Sequence, residues 1–189
     1  MAFKIKSYLI SNKAVELSID NMPGVDFNVD NQQLDYSSVI GNLENLHNKC
    51  VAPILAHFNN LPNSSGNSIG ITSAYRCREL NTAIKGASNS QHIYGMAVDM
   101  VYTEGHSSEV FNWAISNLPA WSQIIWEFPE KKGLQTWVHV SYNPEKNWNL
   151  KTLATDREDL HEFNKTSNTE RSPSGTYTHN IKEADQTPV

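Results

Sequence analysis

The sequence predicts an α+β fold, a small antiparallel sheet with helices packed on it. Short runs rich in β-branched and aromatic residues, at 69–75, 97–102, 123–128 and 136–142, read as strands. Two longer segments, 36–58 and 108–118, repeat apolar residues at helical spacing. Polar or glycine-bearing stretches such as 62–68 and 86–90 separate them.

Each element has its own justification. Residues 1–22 suggest a short strand or helix that ends at the turn Asn21-Met22-Pro23-Gly24. In 36–58, Val39, Leu43, Leu46, Cys50, Ile54 and Phe58 form one apolar stripe, and Pro53 is expected to kink or restart the helix. A short helix follows the first strand at 79–84, and the loop 86–90 delivers His92. Gly95 permits a turn before the strand 97–102, where Asp99 shares a face with Ala97 and Val101. The helix 108–118 turns Val110, Phe111, Ala114 and Leu118 inward. An antiparallel hairpin then joins 123–128 to 136–142, which puts Glu127 on the face of His139, opposite or diagonal to it.

Beyond about residue 153 the composition shifts to Asn, Thr, Ser, Glu and Lys. Such a segment buries too little apolar surface to offset its chain entropy. The expected organisation is one domain over 1–153 and a polar, disordered tail over 154–189, with at most a short helix at 156–163. A chain of 189 residues with 39% hydrophobic content supports one core. We expect a monomer.

Charge and hydropathy exclude several function classes. A net charge of −5, with no cluster of Lys and Arg among aromatics, argues against a nucleic-acid partner. No stretch approaches the ~20 apolar residues of a membrane span, so no membrane partner is expected. Residues 1–10 lack the long apolar region of a secretory signal, which predicts synthesis in the cytoplasm. Cys50 and Cys77 stand far apart and form no metal knuckle, and both are expected to be reduced, Cys50 buried and Cys77 partly exposed.

The chemistry concentrates in Ser90-Gln91-His92-Ile93-Tyr94-Gly95-Met96-Ala97-Val98-Asp99 and, forty residues after Asp99, in Trp137-Val138-His139. Two imidazoles and one carboxylate are the three protein ligands of a catalytic zinc, leaving a fourth position for water. An acid within an apolar strand is costly to bury unless it is paired or bound to a cation, so a salt bridge is the rival reading of Asp99. The other histidines, His47, His57, His106, His161 and His179, read as structural or solvated. The pattern therefore points to a metal-dependent hydrolase.

Together these motifs resemble those of the M15 peptidases, the zinc D-Ala-D-Ala carboxypeptidases and related peptidoglycan peptidases. The likeness extends to Thr72-Ser73-Ala74-Tyr75-Arg76-Cys77-Arg78-Glu79-Leu80-Asn81 and to Ile124-Ile125-Trp126-Glu127-Phe128, covering about Phe3 to Tyr142. The resemblance implies a Hedgehog/DD-peptidase-like fold and one Zn2+ ion held by His92, Asp99 and His139. It also implies a peptidoglycan peptide as substrate, with Arg76 engaging it. Many members carry an acid three residues before the last histidine, where this chain has Thr136. Glu127 is the expected catalytic base in its place, with Glu130 in reserve.

Arg76 supplies a planar cationic fork for a substrate carboxylate or an oxyanion, a role for which Arg78 competes. Ser73, Ser90 and Trp137 are expected to orient ligands or line the substrate site. A cytoplasmic product acting on cell wall needs a release route, such as a phage holin, lysis or a virion, so a phage lytic enzyme is the expected context. Two other classes are weighed: a non-catalytic zinc-containing recognition module of the same fold, and a non-haem iron oxygenase. In the oxygenases the first histidine and the acid are one residue apart, whereas six residues separate His92 from Asp99.

Overall fold

The computed structural model describes residues 2–24, 27–29, 32–66, 68–127, 136–144, 151–155, 170–171 and 177–179. The amino-terminal segment forms two short helices, α1 (Lys6–Leu9) and α2 (Asn12–Leu17). Ser11 caps α2 by accepting a bond from the Ala14 amide. A small hairpin of β1 (Phe27–Val29) and β2 (Gln32–Leu34) follows.

The Asp35 carboxylate starts α3 (Tyr36–Leu46) by accepting from the Ser38 amide at 2.7 Å. A π-helical turn, His47–Val51, links α3 to α4 (Ala52–Phe58). The expected break at Pro53 is thus a widened turn just before it, in which the Ala52 amide reaches back to the His47 carbonyl. Pro53 sits in the first turn of α4, where a missing N–H is tolerated. All six residues of the expected stripe, from Val39 to Phe58, are buried.

The sheet is built from β3 (Ile69–Ser73), β4 (Ala97–Tyr102), β5 (Gln123–Glu127) and β6 (Trp137–Ser141). They lie side by side in the order β3-β4-β6-β5, and every contact among the four is antiparallel. Helix α5 (Arg78–Ala83) follows β3, and α6 (Ser107–Asn117) connects β4 to β5. The class is α+β, as the segment pattern predicts. Beyond β5 the sheet continues through β7 (Lys151–Thr155), which runs parallel to β5, and then to two short strands, β8 (Glu170–Arg171) and β9 (Tyr177–His179). Strand β7 spans residue 153, where the composition shifts; the helix expected at 156–163 lies outside the described residues.

Alternation along the strands gives the sheet two different faces. Val98, Met100, Ile124, Val138 and Val140 join one buried cluster with Leu43, Leu46, Ile54, Phe58, Val110, Phe111 and Ala114 of the helices. The opposite face carries Asp99, Ile125, Glu127 and His139, all buried as well. Strand β4 is therefore covered on both sides, and its acid sits inside the molecule.

A short 3-10 turn, Gln91–Tyr94, precedes β4 and ends at Gly95 with φ +69°. A Cβ at Gly95 would also stand 2.7 Å from the Val39 carbonyl oxygen, so both conformation and space require glycine. Gly95→Ala should lower stability by about 2–4 kcal/mol, read from urea unfolding. Gly41 lies inside α3, where a Cβ meets nothing within 4 Å. Gly41→Ala should raise stability by about 0.5–1 kcal/mol in the same assay.

Candidate metal centre

Strand register assembles most of the site. Asp99 of β4 pairs with Ser73 of β3 on one side and with His139 of β6 on the other, while His139 also faces Ile125 of β5. Directly paired residues project from the same face, so one row across the sheet presents a hydroxyl, a carboxylate and an imidazole. The next row on that face pairs Glu127 with Trp137, which leaves Glu127 diagonal to His139. Glu127 is only 3% exposed, which excludes an acid at a solvated strand edge.

His92 reaches this row from the 3-10 turn. Its Nδ1 lies 2.6 Å from the Ala74 carbonyl oxygen, and since a carbonyl can only accept, Nδ1 carries the proton. The Nε2 lone pair of neutral His92 then points into the cluster, 3.2 Å from His139 Nδ1 and 3.3 Å from Asp99 Oδ1. The third edge, His139 Nδ1 to Asp99 Oδ1, is 2.9 Å. Ligands about 2.1 Å from a tetrahedral zinc stand about 3.4 Å apart, so the triangle is slightly tighter than a filled site. His139 Nε2, the ring atom not in the triangle, is buried with no hydrogen-bond partner among the described residues. The donor set therefore fits a small divalent cation that takes imidazole nitrogen and carboxylate oxygen.

The salt bridge weighed for Asp99 is also present, on its other oxygen. Arg76 Nη2 donates to Oδ2 at 2.5 Å, and Arg76 Nε donates to Ser73 Oγ at 2.8 Å. Oδ1 is left for the imidazoles. Burial alone would raise the Asp99 carboxyl pKa, but the two imidazoles beside Oδ1, which when protonated lend it positive charge and hydrogen bonds, outweigh burial and hold the group well below the usual carboxylate range. Burial acts on His92 in the opposite sense to a carboxyl, pushing its pKa below the ordinary value and keeping the ring neutral, as a metal ligand must be.

These positions fall within a recognisable stretch of chain. The family model described as Peptidase M15 matches residues 25–141. The chain belongs to the M15 peptidase family. The match takes in His92, Asp99, His139, Arg76 and Glu127 of this M15 peptidase and leaves out its first two helices. The comparison with curated proteins gives no match. Among the described residues, no helix is long and apolar enough to cross a membrane.

The structure brings together His92, Asp99, His139, Arg76 and Ser73. Ser90 stands at the head of the 3-10 turn, where its backbone carbonyl accepts from the Ile93 amide. Half-buried Trp137 lies across from Glu127, Arg78 opens α5, and Glu130 lies outside the described residues. Thr136, where the motif resemblance leads to the expectation of an acid, is bonded through its carbonyl to Ser107 Oγ at 3.0 Å. Both cysteines are free thiols. Cys77, expected to be partly exposed, is buried because it caps α5, its sulfur accepting from the Leu80 amide.

Two partners of the site have no signal in residue type: the Ala74 carbonyl that orients His92, and Asn21, which bonds the backbone beside it. His47 proves structural, its Nδ1 2.6 Å from the buried Tyr8 hydroxyl.

The two shifts set an acid limb of stability. Between the usual 6.5 and the lower folded value of His92, the unfolded chain binds a proton that the folded chain refuses, so stability falls as pH drops through 6.5. Asp99 contributes stability that is complete above the usual 3.8 and is lost as pH falls towards its depressed folded value. Urea midpoints of metal-free protein should therefore fall with pH from about 7.5 to about 4, and less steeply in His92→Gln.

Proposed function

We propose that this M15 peptidase is a zinc enzyme that hydrolyses peptide stems or cross-links of bacterial peptidoglycan. The observation that carries the reading is the convergence of His92 Nε2, Asp99 Oδ1 and His139 Nδ1 within 3.3 Å of one another. The motif resemblance to D-Ala-D-Ala carboxypeptidases supports the substrate class, and a phage lytic enzyme released by holin, lysis or virion is the context we propose.

The three ligands would hold one Zn2+. When bound, the ion supplies Lewis acidity, polarising the scissile carbonyl and making water nucleophilic near neutral pH. Glu127 is the proposed base: it takes the proton of the attacking water and returns it to the leaving amine. Its burial on the face of His139, one row along, supports Glu127 in the role of the acid that this chain lacks at position 136. Arg76 holds Asp99 Oδ2, and its guanidinium is the group we propose to engage a substrate carboxylate or the oxygen that becomes anionic during attack. Ser73 braces Arg76, Ser90 heads the turn that bears His92, and Trp137 offers an aromatic wall to the peptide.

The test is mass spectrometry of fragments released from isolated peptidoglycan by zinc-loaded protein. Defined fragments should appear, vanish with chelator and identify the bond cleaved. Glu127→Gln should lower turnover by about 10²–10⁴-fold while zinc still binds at one equivalent. Stoichiometric zinc without any release would favour the non-catalytic recognition module.

A further inference from the structure

We propose that Asn21 is a positioning residue of the metal centre, acting through the backbone of residues 74–77. The proposal rests on the metal-peptidase reading above and concerns a residue that precedes the family match.

Residues 74–77 lie between β3 and α5 and belong to neither a strand nor a helix, so their polar groups need other partners. Asn21, itself buried, supplies two of them: its Oδ1 accepts from the Cys77 amide at 2.8 Å, and its Nδ2 donates to the Tyr75 carbonyl at 3.0 Å. The second Nδ2 bond, 3.0 Å to the Leu9 carbonyl, ties the same side chain to the end of α1. The Tyr75 amide is bonded to the Tyr8 carbonyl at 2.9 Å, so α1 holds this stretch from both sides.

What the clamp holds is the second layer of the metal centre. Ala74, one residue before Tyr75, offers the carbonyl that takes the His92 Nδ1 proton. Arg76, between the two clamped residues, reaches Asp99 through its side chain and donates its own amide to the His92 carbonyl at 3.2 Å. A shift of this backbone would release the His92 Nδ1 proton and Asp99 Oδ2 together. One acceptor and two donors in a plane on a one-carbon stem describe an asparagine amide and no other side chain. Aspartate would lose both donors and face two carbonyls with a negative charge.

The experiment compares wild type with Asn21→Asp, Asn21→Ser as a milder variant, and Val110→Ala, a buried change on the helix-facing side of the sheet. Zinc affinity is measured by competition with a chromophoric chelator at a temperature where circular dichroism shows each protein folded. Histidine ring 15N spectra of the metal-free proteins read the His92 tautomer. The Asn21 variants should bind zinc about 10–100-fold more weakly and lose the single Nδ1-protonated form of His92. Val110→Ala should lose stability without either change. Asn21 variants that lose stability yet keep both the wild-type zinc affinity and the His92 tautomer would overturn the proposal. A wild type that binds no zinc would instead overturn the metal-centre reading, and the ring spectra alone would then decide the clamp.

Discussion

Three atoms that each offer an electron pair, two imidazole nitrogens and a carboxylate oxygen, are held within 3.3 Å of one another in a place that water barely reaches. Left to themselves such groups would turn apart or take up protons. Much of the local structure is organised to prevent this. Antiparallel register puts Asp99 and His139 side by side, the Ala74 carbonyl turns the protonated edge of His92 away, and Arg76 occupies the second carboxylate oxygen. A cation would answer the remaining three lone pairs at once.

The sheet keeps the two halves of this problem apart. Its helix-facing side sends Val98, Met100, Ile124, Val138 and Val140 into the buried cluster, while its other side concentrates Ser73, Asp99, His139 and Glu127. Strand alternation alone makes that division, without any loop having to carry a ligand other than His92. The chemistry is thereby set largely on paired strands of the sheet.

Much of this was legible in the sequence because alternation and metal-ligand chemistry leave marks in residue type. The four strands, the stripe from Val39 to Phe58, and the shared face of Asp99, His139 and Glu127 all appear where those patterns place them. Backbone partners leave no such mark, which is why the Ala74 carbonyl was invisible and Asn21 read only as part of a turn. Cys77 was misjudged for a related reason: its capping bond depends on where α5 begins, not on its neighbours in sequence. The parallel strand β7 also escaped, because Lys151-Thr152-Leu153-Ala154-Thr155 is short and holds a single large apolar residue, too little for a strand pattern.

The π-helical turn at His47–Val51 solves a problem of phase. From Leu46 the buried stripe advances in steps of four, through Cys50 and Ile54 to Phe58. In a regular α-helix each such step overshoots a full rotation by about 40°, so three in succession would carry the stripe about a third of the way round the axis. A single widened turn takes up an extra residue and rotates the following segment back. One insertion's worth of slack thus lets a long helical segment keep a straight apolar edge against the sheet without supercoiling.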